Sequence, residues 1–121
     1  MPRLDMGEII HEFSKETIKQ VVTKTSPGNY ALGRIDEEDG LFIVEYVGRA
    51  DIDVADRIAQ HLGEPYKHFK FSCATSPRAA FLKECQNYHD FGGKEKLNNK
   101  IHPDRPKGTD WKCPCCDIFD K

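Results

Sequence analysis

The segment Tyr46–His61, YVGRADIDVADRIAQH, constrains this chain more than any other. An apolar run ends at a glycine, a short acidic linker follows, and a helical pattern then begins, which predicts a strand–turn–helix unit. Asp51 or Asp53 can act as N-cap, accepting from the free amides of the first turn. On a wheel of about 100° per residue, Val54, Ile58 and Leu62 form an apolar stripe that Ala55 and Ala59 widen. Arg57 and His61 lie one helical turn apart and share one face at the edge of that stripe. A guanidinium and an imidazole beside a tyrosine-bearing strand end suit anion recognition. The plainer alternative is a surface helix with a solvated Arg and a partly buried His.

Upstream, the pattern over residues 5–24 predicts an amphipathic helix. Asp5 and Glu8 have capping-box spacing, and Ile9, Ile10, Phe13, Ile18, Val21 and Val22 roughly keep a helical period. Ser26-Pro27-Gly28 stops it. Tyr30–Ile35 and Leu41–Val47 are β-rich runs separated by Asp36–Gly40 and read as an antiparallel hairpin. After the 51–62 helix comes a third strand around Tyr66–Thr75, where Phe69, Phe71 and Cys73 alternate with Lys70 and Ser72. Ser76-Pro77 starts a helix, with Ser as N-cap and Pro at its first position, that runs to about His89. Glu84 falls on the arc of Ala80, Phe81, Cys85 and Tyr88. A carboxylate among aromatic residues must be paired, protonated or bound to a cation. From Gly92 onward the chain is polar and loop-like, anchored by Leu97 and Ile101 and stiffened by the prolines of His102-Pro-Asp-Arg-Pro. This order predicts a small α+β domain with a three-stranded antiparallel sheet flanked by helices.

With 121 residues, 38% of them hydrophobic and 31% charged, the chain suits one soluble domain with a small core. No apolar run is long enough to span a membrane, and MPRLDMGEII lacks the apolar core of a secretory signal, so a cytoplasmic protein is expected. The net charge of −2 divides unevenly: residues 1–63 carry −5 and residues 64–121 carry +3. That excludes a strong non-specific field for nucleic acid, while the basic half can still meet phosphates.

Gly28-Asn29-Tyr30 opens one strand, Tyr46-Val47-Gly48 closes the next, Arg57 and His61 share the following helix, Glu84 lies on a later helix and Asn99 follows it. Over residues 26–102 this ordered set resembles the GIY-YIG endonuclease family. It departs from the family at Asn29, where an apolar residue is usual, and in its longer Asp36–Gly40 loop. Asn99 rather than Asn98 is chosen by its spacing from Glu84. The resemblance implies hydrolysis of a nucleic-acid phosphodiester, DNA before RNA, assisted by one divalent metal. Glu84 would hold Mg²⁺ or Mn²⁺, Arg57 the scissile phosphate, Tyr30 and Tyr46 the attacking water with His61 as partner base, and Asn99 would brace the site. Arg49, Lys70 and Lys100 would supply further substrate contacts. The domain so defined spans residues 26–105, with residues 1–25 as a helical extension and 106–121 as a Cys-rich tail.

Five cysteines, an odd number clustered toward the C-terminus, argue for thiols or a metal rather than a disulfide framework. Cys85 and His89 in Cys-x₃-His spacing, with Cys113 and Cys116 in Cys-x₂-Cys, make a tetrahedral zinc set, and His102 is a competing ligand. Such a zinc would pin the tail to the last helix. Free or buried thiols are the alternative. A thiol oxidoreductase using Cys113 and Cys116 is more remote, because that chemistry needs a helix N-terminus beside the thiol. A non-catalytic nucleic-acid-binding module on the same fold is the main rival to an enzyme.

Overall fold

The computed structural model describes residues 4, 6, 7, 9–99, 102–106, 108–116 and 118. The elements in order are β1 (His11–Glu12), α1 (Lys15–Val21), β2 (Gly28–Ile35), β3 (Phe42–Ala50), α2 (Val54–Ala59), β4 (His68–Cys73), α3 (Pro77–Asp90) and α4 (Gly93–Lys96). The fold is α+β, built on one antiparallel sheet in the order β1-β4-β2-β3. The sheet thus has four strands where the sequence predicts three. The added strand is drawn from the segment expected to be helical: His11 pairs with Phe69 and Glu12 with His68. Ser14 explains the boundary, since its hydroxyl accepts from Thr17 N and starts α1 only at Lys15. Ile9, counted on the apolar face of a longer helix, is 69% exposed. Asp5 and Glu8 lie outside the described residues.

The hairpin forms as expected. Tyr30 pairs with Gly48 and Leu32 with Tyr46, after which the register shifts so that Gly33 meets Val44. Cross-strand partners share a face, so Tyr30, Leu32, Tyr46, Gly48, Phe69 and Phe71 line one side of the sheet. Helices α1 and α2 cover that side, where Ile18, Val22, Val54 and Ile58 join Tyr30, Leu32 and Phe69 in one buried cluster. Val54 and Ile58 are fully buried; at about 1.5–3 kcal/mol each, they fix the facing of a helix only six residues long. Asp53 caps it, accepting from Ala55 N and Asp56 N.

Helix α3 crosses the other side. Asn29, on the face opposite Tyr30, donates from Nδ2 to the Ala80 carbonyl at 2.8 Å and ties β2 to this helix. The polar residue in the middle of the first tripeptide therefore leaves the tyrosine undisturbed. No described helix is long and apolar enough to cross a membrane.

Candidate active site and metal centre

Two layers meet at the edge strand. Tyr30 and Tyr46 stand on the α2 face of the sheet, and Glu84 approaches from α3 on the other. They reach a common space because β3 is the outermost strand and Gly48 has no side chain there. A Cβ at Gly48 would overlap the Tyr30 ring, so the glycine lets that ring lie across the strand. The result is a cleft of about 630 Å³ whose walls include Tyr30, Tyr46, Arg57, Glu84, Asn99 and His102.

Behind its tyrosine wall, Tyr30 Oη lies 2.8 Å from His61 Nε2, and the Tyr46 ring centroid lies 4.9 Å from that of His61. His61 Nδ1 is 3.1 and 3.0 Å from the two carboxylate oxygens of Glu64. A carboxylate only accepts, so the neutral ring carries its proton on Nδ1, and Nε2 accepts from the Tyr30 hydroxyl. Burial pushes both phenols above their ordinary range. Tyr46 adds to this at Tyr30, Glu84 adds to it at Tyr46, and Arg57 opposes it at both. The Tyr30 phenol therefore keeps its proton, and the neutral imidazole can accept it at Nε2.

Glu84 is buried, and its Oε1 accepts from Arg49 Nη1 at 2.7 Å. Arg49 Nε also binds Asp51 at 3.0 Å, and its guanidinium lies 5.2 Å from the Phe81 ring centroid. Burial raises the Glu84 carboxyl above the usual range, with Arg49 pulling it back. The residue expected to contact substrate is thus engaged with the acid. Its second oxygen lies outside the Arg49 bond and could serve as one of the few protein ligands that Mg²⁺ or Mn²⁺ takes. Asn99 braces the edge: its Oδ1 accepts from Val47 N at 3.0 Å and its Nδ2 donates to the Val47 carbonyl at 2.8 Å. Its neighbour Asn98 instead donates to the Tyr66 hydroxyl.

One expected substrate contact, Lys70, is not brought here. Lys70 shares a face with its partner Ala31, not with Tyr30, and donates to the Gly7 carbonyl at 3.0 Å. Lys100 lies outside the described residues, as does Ile101. Glu64 was missed; its signal was the His-x-x-Glu spacing with a glycine between, His61-Leu-Gly-Glu64.

The second cluster forms between α3 and the tail. Ligand atoms of His89, His102, Cys113 and Cys116 all lie within 4.8 Å of one another. His102 Nε2 is 3.1 Å from His89 Nε2 and 3.4 Å from Cys116 Sγ. His102 Nδ1–H donates to the Pro103 carbonyl at 2.7 Å, which turns the bare Nε2 toward the other three, as an outer-shell bond does in metal sites. Two nitrogens and two sulfurs at these separations can bind a metal such as zinc. The set corrects the expected one: His102 replaces Cys85. Cys85 is fully buried in a cluster with Phe81 and Cys113. Burial, with Cys113 beside it, pushes its thiol above the ordinary range, and it is not one of the four residues whose ligand atoms converge. Residues 102–116, where described, contain no helix, so the Cys113/Cys116 pair lacks the helix N-terminus that a redox dithiol needs. No family model, curated protein or solved structure matches this chain.

Proposed function

We propose that the protein is a divalent-metal-dependent nuclease that hydrolyses a phosphodiester bond of nucleic acid, with DNA the expected substrate. The observation that carries this reading is the shared cleft: two phenols, a guanidinium and a buried acid line one space, with an imidazole bonded to one of the phenols. Arg57 binds the non-bridging phosphate oxygens, for which a guanidinium offers two parallel donors. The attacking water gives its proton to Tyr30 Oη as the Tyr30 proton passes to His61 Nε2. The water oxygen bonds to phosphorus, the bond from phosphorus to the 3′ oxygen breaks, and that oxygen takes a proton from solvent. Glu84 would hold the metal through the oxygen that Arg49 leaves, and a divalent cation there supplies stabilisation of the charge developing on the leaving oxygen. Asn99 keeps the strand edge in place beside Gly48.

The test is incubation with a panel of single-stranded, duplex and branched DNA and RNA, with and without Mg²⁺ or Mn²⁺. Cleavage is expected only with metal. Arg57→Ala and Glu84→Ala should each lower it by about 10²–10³-fold, the worth of one well-placed electrostatic group, while circular dichroism stays unchanged. Unchanged cleavage in both variants would sink the reading.

The Arg49–Glu84 pair favours one rival, a non-catalytic nucleic-acid-binding module, since it neutralises the acid without any metal. That rival predicts salt-sensitive binding and no metal-dependent product. At the second cluster, we propose a structural Zn²⁺ held by His89, His102, Cys113 and Cys116.

A further inference from the structure

The imidazole bonded to the cleft residue Tyr30 is held from both sides, by the Tyr30 hydroxyl at Nε2 and by Glu64 at Nδ1. Glu64 lies beyond α2 on a turn in which Glu64 N donates to the His61 carbonyl at 3.1 Å and Gly63 takes φ 99°. That left-handed position suits glycine, and the turn carries the Glu64 carboxylate back to its own helix end. Both oxygens then lie within 3.1 Å of His61 Nδ1. Among the described residues, no other group is bonded to that nitrogen. The Glu64 side chain is 45% exposed, and an exposed pair of this kind adds little to stability.

We propose that Glu64 is a positioning residue: it fixes His61 in the Nδ1–H tautomer and so leaves Nε2 free to take the Tyr30 proton. The catalytic consequence rests on the nuclease reading above. A proton on Nε2 would turn that nitrogen into a donor facing a neutral phenol, and the relay would have no acceptor. After transfer, the imidazolium carries hydrogens on both nitrogens, and the Glu64 carboxylate faces the Nδ1–H of that cation. No proton passes to Glu64 in this step.

The experiment combines nitrogen-15 spectra of histidine-labelled full-length protein with steady-state cleavage for wild type, Glu64→Ala and Glu64→Gln. Wild type should show His61 protonated at Nδ1 and bare at Nε2. Glu64→Ala should populate the other tautomer and lower kcat by at least about tenfold, within the roughly 10²–10⁴-fold worth of a general base. KM should not change, because Glu64 is not a substrate contact. Glu64→Gln can still accept from Nδ1–H and should restore both the tautomer and part of the rate. An unchanged tautomer in Glu64→Ala overturns the proposal, and so does a changed tautomer with unchanged kcat. If wild type cleaves no nucleic acid, the nuclease reading falls, and the spectra still decide whether Glu64 sets the tautomer.

Discussion

The cleft and the His/Cys centre share a wall, because His102 belongs to both, yet they are held together by opposite means. Around the cleft, Tyr30, Val54, Ile58 and Phe69 are almost wholly buried, so the side chains of α2 and β2 take their positions from packing. Around the centre, the tail residues described from 102 onward form no helix or strand, and only Pro103 and Cys113 among them are buried. Burial of two small side chains, with Trp111 half-buried against Phe81, offers a few kcal/mol. A structural zinc in a small domain supplies an apparent ~10–16 kcal/mol. The first site should therefore be largely present before any ligand arrives, and the second should depend on one.

The largest expected effect breaks that contrast directly. Cys113→Ser should abolish stoichiometric zinc in metal analysis of the purified protein. It should also strip hydrogen-exchange protection from residues 102–116 while the amides of β2, β3 and β4 keep theirs. Equal loss across the sheet would show that the two regions are not held independently. A smaller effect tests the packed side. Gly48→Ala puts a methyl group where the Tyr30 ring lies and should cost about 1–3 kcal/mol in chemical denaturation. Zinc content should stay intact and cleavage should be lost.

The smallest effect sharpens the comparison by pH. Burial raises the Glu84 pKa above its unfolded value, so between the two values the folded state holds a proton that the unfolded chain has released. Stability should then fall as pH rises through that window. Glu84→Gln retains an acceptor for Arg49 without the charge. Denaturation curves with chelator present should show wild type losing stability relative to Glu84→Gln as pH rises through that window. A relative gain would mean that Arg49 outweighs burial.

Most of the cleft was legible because its residues sit at fixed offsets on local elements. Arg57 follows from helical spacing, whereas α2 ends at Ala59 and leaves the expected helical His61 on the turn beyond it; Tyr30 and Tyr46 follow from the hairpin, and Ser76-Pro77 set the phase that puts Glu84 on the inner face of α3. What could not be read depends on partners distant in sequence. His11–Glu12 form a strand only because β4 offers them a free edge, more than fifty residues away. Ligand choice at the second centre had the same difficulty. Cys85 and His89 lie on one helix in ligand spacing, and only the approach of His102 to His89, Cys113 and Cys116 in three dimensions separates a core cysteine from the ligand set. Lys70 was misread for a related reason, since strand alternation gives two faces and does not say which one the cleft adjoins.

The Asn99 side chain has a consequence beyond bracing. With its carbonyl and amide both engaged at Val47, it imitates one peptide unit of a neighbouring strand on the outer margin of the sheet. An extended segment from another molecule that tried to dock along β3 would find that rung already taken and would have to evict it. A nine-residue border strand open to pairing with copies of itself is thereby interrupted near its middle, and the residue that steadies the cleft also discourages self-association.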